Sequence, residues 1–465
     1  MPLPTIPSGN VASALPTGYD IDNSCRWNDG DSPSMKKTPG SAGSLTTWTL
    51  SVWLKRGNLG TEQPFFSGAD PDGTSSPNRD LIRFDPDDQL RIAVNGTTYR
   101  ITNRMFRDVS AWYHIVINWD TTNGTAGSRV KFYVNGVEET SFDTSADPAE
   151  DAESNINRDT EQRIGQENDG AYYDGYIAEL CFIDGTIYGP TSFGEFDSDS
   201  PTIWKPIDVS GLTFGTNGTY LDFKDSGNLG DDESGNGNDW TEANLAAADQ
   251  ATDTPTNNFC TMNPLDYTAT TISEGSLKMN WSQSPNVFGI TTGTLGITAS
   301  KWYWEAKITS ADNSTGIQLG VIQVVPYLSR LTAPGVDLSL FYGLGGRFTT
   351  AKGVNKVLNG TDSSITDSWS NDDIIRIAYD GDAGKLYMWM GTDELNGQDF
   401  SASTSFNSGT LTADTMVLPY LSLGDGGSGT KTCQIEFNFG GCPAFSISSG
   451  NSDANSYGNF EYSVP

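Results

Sequence analysis

Carboxylates are the side chains of this sequence that could most readily do chemistry. Aspartate and glutamate together number 59, against 27 lysines and arginines. Cleavage of a glycosidic bond needs two carboxylates, about 5–10 Å apart, on either side of the sugar. On a strand, such a pair would occupy alternate positions of one face, as in the pattern ExDxE. Glu305 and Glu436 lie in predicted strands without an acidic partner at that spacing. The sequence therefore predicts that the protein is not an enzyme.

The other residue types that build catalytic or zinc sites are too few or too scattered to do so here. His114 is the single histidine and lies inside a predicted strand, which argues against a Ser/His/Asp triad and a zinc site. The five cysteines are odd in number and contain no CxxC pair. Phosphate-loop and dinucleotide-binding motifs do not occur. We expect that the protein requires no cofactor.

The elements that must position any site are strands. Residues 373–390 alternate, with Ile375, Ile377 and Tyr379 on one face, and then alternate again after the turn at 380–384. Two alternating runs joined by a Gly/Asp turn are typical of an antiparallel hairpin. The turn Asn135-Gly136 predicts a second hairpin. Since no long amphipathic helix is found, the sequence predicts an all-β protein made of sandwiches.

Length, charge and composition limit the classes of function. A chain of 465 residues suggests two or three domains. A net charge of −32 repels nucleic acid and anionic membrane, so neither is an expected partner. Residues 1–16 contain four prolines and no lysine or arginine, unlike a secretion signal. We expect residues 1–20 to form an extended arm.

The stretch 21–205 resembles the laminin-G-like members of the concanavalin-A-like lectin superfamily. The motifs WTLSVWLKRG, WYHIVINWD, KFYVNGVE and DGYIAELCFIDG carry this resemblance by their order and spacing. The resemblance implies a jelly-roll sandwich whose rim loops often hold calcium. Calcium is therefore a possible ligand, and the alternative is that each acidic residue is an ordinary turn residue. The candidate carboxylates are Asp70, Asp72, Asp85, Asp87 and Asp88.

Residues 206–270 are rich in Gly, Asn, Asp and Thr and are interpreted as a connector. Within it, the loop that starts at Asp232 nearly begins a helix–loop–helix calcium site, but Ala243 occupies the position of the bidentate glutamate. A turn is the favoured interpretation, and an irregular calcium site is the alternative.

The stretch 271–446 resembles a SPRY domain, through the strands KWYWEAKI and QIEFNF and the hairpin at 373–390. SPRY domains are also concanavalin-A-like jelly rolls. Residues 447–465 are interpreted as a C-terminal tail. In SPRY domains, loops at one end of the sandwich contact the partner. By position, the binding candidates are Tyr327, Phe341, Tyr342 and Arg347. Trp369 is a further candidate, and a place in the core is its alternative.

The whole arrangement resembles appendage proteins of tailed, marine-type bacteriophages: an SGNV segment, a laminin-G-like domain, a DESGNGNDW/DTPTNNF connector and a SPRY-like domain. The resemblance implies a structural virion protein, a tail or head fibre, made in the host cytoplasm and carried in the virion. The arm would dock on other virion proteins, the chain would be a homo-oligomer, and a host glycan or protein would be bound. The alternatives are a capsid decoration protein without receptor binding, and a glycan-cleaving enzyme.

Overall fold

The computed structural model describes most of the chain, and the description below concerns that part only. It covers residues 18–73, 77–167, 170–266, 270–283, 289–312, 316–324, 343–348, 352–358, 361–395, 405–406, 411, 415–424, 431–454, 456 and 458–465. Contacts separate two units, which meet in sequence between Asn258 and Phe259. The first unit is residues 18–258 and the second is residues 259–465. The predicted arm falls outside the described residues as far as residue 17.

The first unit is built from two eight-stranded sheets. The first sheet has the order β10-β9-β8-β3-β13-β1-β18, with β16 also paired to β13, and the second has the order β11-β7-β6-β5-β4-β12-β2-β17. Strands β14 and β15 form a separate hairpin. In chain order the strands are β1 Ser24–Trp27, β2 Ser34–Lys37, β3 Thr47–Arg56, β4 Gln63–Gly68, β5 Asp80–Phe84, β6 Gln89–Val94, β7 Thr97–Met105, β8 Tyr113–Asp120, β9 Val130–Val134, β10 Val137–Glu138, β11 Phe142–Ser145, β12 Gln162–Ile164, β13 Gly175–Asp184, β14 Gly194–Phe196, β15 Trp204–Pro206, β16 Thr219–Leu221, β17 Thr241–Ala243 and β18 Gln250–Ala251.

The alternation of β8 decides which of its residues enter the core. Ile115, Ile117 and Trp119 are fully buried between the two sheets, as the pattern predicts. Trp119 lies opposite Trp48 of β3, and the two rings stack with centroids 6.1 Å apart. Stacked aromatics add to the stabilisation that comes from burial alone. This pair is therefore a central element of the first core.

The hairpin at Asn135-Gly136 forms as predicted, because both residues have positive φ, 47° and 78°. Paired positive φ values match the twist of the flanking strands. A side chain at Gly136 would place its Cβ 2.3 Å from the Trp204 ring. Close packing and backbone conformation therefore both require glycine at this position.

The connector prediction for 206–270 is wrong, because residues 206–258 belong to the first unit. Phe214, Phe223, Leu229 and Trp240 of this segment are all buried. Its strands β16, β17 and β18 extend both sheets. A Gly/Asn/Asp-rich composition suggests a linker, but the few apolar residues within it provide enough buried surface to fix the segment on the sandwich.

The second unit also contains two antiparallel sheets. The third sheet has the order β19-β20-β31-β22-β27-β28-β29 and the fourth has the order β21-β30-β23-β24-β25-β26. Strands β32 and β33 pair with each other. The strands are β19 Thr270–Ser273, β20 Lys278–Gln283, β21 Gly289–Thr292, β22 Lys301–Ala311, β23 Gly316–Gln323, β24 Gly343–Phe348, β25 Gly353–Leu358, β26 Thr361–Ser368, β27 Ile374–Asp380, β28 Lys385–Met390, β29 Asp393–Glu394, β30 Val417–Gly424, β31 Lys431–Asn438, β32 Asn451–Ser452 and β33 Asn459–Phe460.

The hairpin at 373–390 forms β27 and β28, with Ile377 opposite Met388 in the core. The predicted all-β fold of two sandwiches is thus confirmed. The interpretation of 447–465 as a separate tail needs correction, since Phe460 is buried and its ring meets Tyr303 edge-on at 4.9 Å. Within the described part of the chain, no helix is both long and apolar enough to cross a bilayer.

Candidate glycan-binding face

The outer face of the second sheet carries a row of polar and cationic side chains. Alternation directs Ile82 of β5 and Ile164 of β12 into the core, so the adjacent Arg83 and Arg163 point away from it. Arg163 has Lys36 on one neighbouring strand and Ser67 on the other, and Arg83 lies opposite Arg91. In a chain of net charge −32, this face brings four cationic side chains close to carboxylates.

Arg83 lies at the middle of this face and is held by three carboxylates. Its Nη1 is 3.0 Å from Glu167 Oε2, its Nε is 2.7 Å from Asp85 Oδ1, and its Nη2 is 2.6 Å from Glu62 Oε1. Burial lowers the pKa of Arg83, but Glu167 and the other carboxylates outweigh this effect and raise it. Glu167 also pairs with Arg79 at 2.9 Å. The network fixes the direction of each of these side chains.

Arg163 and Gln166 bring unused hydrogen-bonding capacity to the same face. Arg163 Nε is 2.5 Å from Glu161 Oε1, and the backbone carbonyl of Gln166 accepts a bond from the Ser67 hydroxyl at 2.8 Å. Nη1 of Arg163 and Oε1 of Gln166 are buried and have no hydrogen-bond partner among the described residues. A buried donor or acceptor without a partner is costly, and a polar ligand or a water molecule removes that cost.

A polar cleft of about 530 Å³ opens at the end of this face, where β2 and β17 pair. This is the size range of small-ligand sites. Burial, partly offset by Asp232 and Asp239, lowers the pKa of Lys37 to about 8. The lining side chains donate and accept hydrogen bonds and include no aromatic ring, which suits a hydroxyl-rich ligand better than an apolar one. The lining residues are Lys36, Lys37, Thr38, Pro39, Gly40, Glu161, Gly237, Asn238, Asp239 and Thr241.

The acidic residues that the resemblance suggested for calcium have other partners. Asp70 accepts the backbone amide of Asp72 at 2.7 Å and closes its own turn. Asp88 is 2.9 Å from Arg56 and 2.8 Å from Arg107. Burial would raise the pKa of Asp88, but hydrogen bonds from a backbone amide and the two arginines lower it.

Asp85 binds arginines, and Asp87 is exposed. A calcium site at these carboxylates stays a prediction. No group of three or more metal-ligating side chains occurs within the described ranges.

The loop at Asp232 is a self-contained turn. Its carboxylate accepts the backbone amides of Tyr220, Ser234 and Asn238 at 2.7–3.0 Å. These bonds outweigh the effect of burial and lower the pKa of Asp232. The favoured interpretation from the sequence, a turn, describes this geometry.

His114 is a structural residue of the first sheet. Trp204 Nε1 donates to its Nδ1 at 3.0 Å, so Nε2 carries the proton and donates to the Ser51 hydroxyl at 2.9 Å. Burial lowers the pKa of His114 to about 3. An imidazole that donates to serine cannot accept the proton of that serine. The Ser51–His114 pair therefore has the wrong direction for nucleophilic catalysis.

The two glutamates considered for glycan cleavage are also engaged. Glu305 is buried and accepts the backbone amides of Glu461 and Tyr462 at 3.0 and 2.9 Å. Burial raises the pKa of Glu305 despite these bonds. Glu436 lies 3.5 Å from Lys278. The prediction that the chain is not an enzyme stays a prediction.

Three of the four predicted binding residues, Tyr327, Phe341 and Tyr342, lie outside the described residues. Arg347 lies in β24, and its guanidinium donates to the side-chain oxygen of the buried Gln318 on β23. Arg347 therefore lies on a strand, whereas the resemblance to SPRY domains implied a loop position. Trp369 is buried in the second core. A binding role for the four residues stays a prediction.

The sequence analysis missed a buried carboxyl group on the outer face of the first sheet. Glu179 has a positive φ of 44° at a bulge in β13, and the hydroxyl of Tyr220 donates to it at 3.5 Å. Tyr19 lies 3.1 Å from Tyr220 through the two hydroxyls. Burial raises the pKa of Glu179 to about 8. Glu179 shares its face with the buried Cys181 and Ile183. An acidic residue in such an apolar row is the feature of the sequence from which a buried carboxyl group could have been predicted.

Comparison with known families supports the lectin-like assignment of the first unit. Residues 29–187 match the family model described as the concanavalin A-like lectin/glucanases superfamily. This range lies inside the stretch 21–205 that the motifs delimit. The first unit thus contains a concanavalin-A-like lectin domain. No curated protein sequence is significantly similar to this chain.

Solved structures with similarity to this chain include three sandwiches of low identity. The SPRY domain of human HERC1 is 14% identical, with 40% of this chain and 99% of that chain covered and a TM-score of 0.28. A heptameric SAP-like pentraxin from Limulus polyphemus is 16% identical over 37% and 80%, also at 0.28. The TRIM65 PSpry domain is 12% identical over 39% and 89%, again at 0.28.

Proposed function

We propose that this protein is a structural protein of a tailed bacteriophage particle and that its first unit binds a glycan of the host surface. The observation that carries the glycan part is the outer face of the second sheet. There, Arg163 lies opposite Lys36 and is bonded to Glu161, and these two neighbours line a polar cleft of about 530 Å³ in a lectin-like domain. The network around Arg83 belongs to the same face, on β5. Hydroxyl-rich ligands need both donors and acceptors, and the cleft lining provides them through Lys36, Glu161 and Asn238, with Glu161 held in place by Arg163.

The virion part rests on the resemblance of the domain order to phage appendage proteins. Two sandwiches in one chain fit a displayed appendage, because loops on rigid sandwiches present binding residues without exposing long sheet edges. The arm at residues 1–20 would dock on other virion proteins, and the protein would act as an oligomer without catalysis. Calcium would not be needed for binding at this face, since the cleft presents amide, hydroxyl and ammonium groups together with single carboxylates.

Glycan binding is tested with the full chain on a glycan array, comparing the natural sequence with Thr241→Arg. Thr241 is exposed in the edge strand β17 and lines the cleft, so an arginine there fills it. Ser145→Arg is the matched control, because Ser145 is exposed in β11, the opposite edge strand of the same sheet. We expect binding of a glycan that Thr241→Arg weakens at least tenfold and Ser145→Arg leaves intact.

Equal binding by both variants would place the glycan site elsewhere, and no binding at all would favour the decoration role. The virion part is tested separately, by imaging purified particles with a labelled antibody against this chain. Absence of the chain from particles would refute it whatever the array shows.

A further inference from the structure

Buried Lys55 and Asp253 form a cluster with exposed Asn258, and the proposed glycan site does not use it. Lys55 lies on the outer face of β3 with its side chain fully buried. Its Nζ is 2.7 Å from Asp253 Oδ2 and 2.8 Å from the side-chain oxygen of Asn258. Lys55 and Asn258 are separated by 203 residues in sequence. All three belong to the first unit.

Neighbouring groups fix the orientation of Asp253 and Asn258 towards Lys55 Nζ. Trp112 Nε1 donates to Asp253 Oδ1 at 3.0 Å, which leaves Oδ2 directed at Lys55. Asn258 Nδ2 donates to the Ser110 carbonyl at 2.7 Å, which fixes the amide so that its carbonyl points at Nζ. The Tyr176 ring lies 5.7 Å from Nζ and contributes an apolar wall.

We propose that Lys55 and Asn258 form an intramolecular amide cross-link, with Asp253 as the group that moves the proton. The hydrogen bond holds Nζ 2.8 Å from the amide oxygen of Asn258, next to the carbonyl carbon that it would attack. Such positioning replaces an improbable collision by an effectively unimolecular step. Asp253 accepts a hydrogen bond from Nζ at 2.7 Å, so its Oδ2 is placed to take and return the proton.

The reaction is balanced without any added reagent. Asp253 takes a proton from Nζ, and the lone pair of Nζ then forms a bond to Cγ of Asn258. The bond between Cγ and Nδ2 breaks as Asp253 returns that proton to Nδ2. Asp253 then takes a second proton from Nζ and passes it to the departing ammonia, which leaves as ammonium. One of the three original hydrogens stays on the new amide nitrogen, and Asp253 ends as a carboxylate. Asn258 is exposed, so ammonia has a path to solvent.

The first test is the intact mass of the purified full chain. Loss of ammonia lowers the mass by about 17 Da relative to the sequence. A succinimide at Asn258 would give the same deficit, so the position of the change must be mapped. Trypsin should release residues 38–56 joined to residues 225–278 as one branched peptide, because no lysine or arginine lies within 225–277.

Variants separate the reaction from the fold. Lys55→Arg keeps a cation beside Asp253 but cannot form the amide, and Asp253→Ala removes the proton carrier. Both should show the full sequence mass and migrate more slowly than the natural chain in a denaturing gel, because a closed loop of this length makes the unfolded chain more compact. Lys352 and Asn371, 3.1 Å apart at an exposed position, are an internal comparison that should stay unlinked.

A mass equal to that of the sequence in the natural chain would overturn the proposal, and the cluster would then be an ion pair with an amide contact. A deficit confined to the single peptide 225–278 would also overturn it. If Asp253→Ala fails to fold, the natural chain and Lys55→Arg still decide the question by mass and by the branched peptide.

Discussion

Replacement of Glu179 by glutamine should make the first unit less sensitive to alkaline pH. The pKa of Glu179 is raised by burial from 4.5 to about 8. Between these values the folded chain keeps a proton that the unfolded chain has lost, so stability falls as the pH rises through this window. The slope for one group is about 1.4 kcal/mol per pH unit, which gives a loss of about 4–5 kcal/mol by pH 9.

Glutamine has the same shape, keeps an oxygen that accepts the Tyr220 hydroxyl bond, and carries no charge at any pH. Glu179→Gln and the natural chain should therefore be equally stable near pH 4.5. The variant should be more stable by about 2 kcal/mol at pH 6 and by about 4–5 kcal/mol at pH 9. The gain should level off above pH 8.

The assay is urea unfolding followed by tryptophan fluorescence from pH 5 to pH 9. Glu138→Gln is the control, since Glu138 is exposed in β10 and its loss changes the net charge equally. Its difference from the natural chain should stay small across the range. A difference between Glu179→Gln and the natural chain that does not grow with pH would refute a neutral, buried Glu179.

Three further changes probe other parts of the fold. Trp119→Ala should lower the free energy of unfolding of the first unit by about 3–5 kcal/mol in urea titrations, and a loss below about 1 kcal/mol would contradict its place in the core. Gly136→Ala should cost more than about 1 kcal/mol, because φ is positive and the new Cβ would meet a tryptophan ring. Thermal melting of both variants checks this, and Gly124→Ala, with open space around it, should be nearly neutral. Glu305→Ala should speed amide hydrogen exchange in 459–463 by about tenfold or more, since two amide donors lose a carboxylate acceptor, and unchanged protection would refute this anchoring role.

The strands and their faces could be predicted because alternation is a local property of sequence. Ile115, Ile117 and Trp119 occupy alternate positions, and the same pattern that places them on one face places them in the core. The Asn135-Gly136 turn is equally local, since its residue types select the backbone conformation.

The sites could not be predicted in the same way, because they join residues that are distant in sequence. Lys55 and Asn258 meet only after β3 and the segment after β18 are brought together by the fold. The bonds of Arg83 to Glu62 and Glu167 likewise depend on strand order and loop path. The segment 206–258 was misread for a related reason: its buried residues are sparse, so they leave no periodic signal, although each one reaches a core.

The place of residues 206–258 on the first unit determines how the lectin-like domain can be isolated. A fragment that ends near residue 205, where the motifs stop, would lack β16, β17 and β18 and would uncover the surfaces that Phe223, Leu229 and Trp240 bury. Freshly exposed apolar surface and unpaired strand edges promote aggregation. A fragment that extends to Asn258 keeps these residues, so expression trials of the domain should place their boundary there, and proteases should leave this loop-like stretch intact.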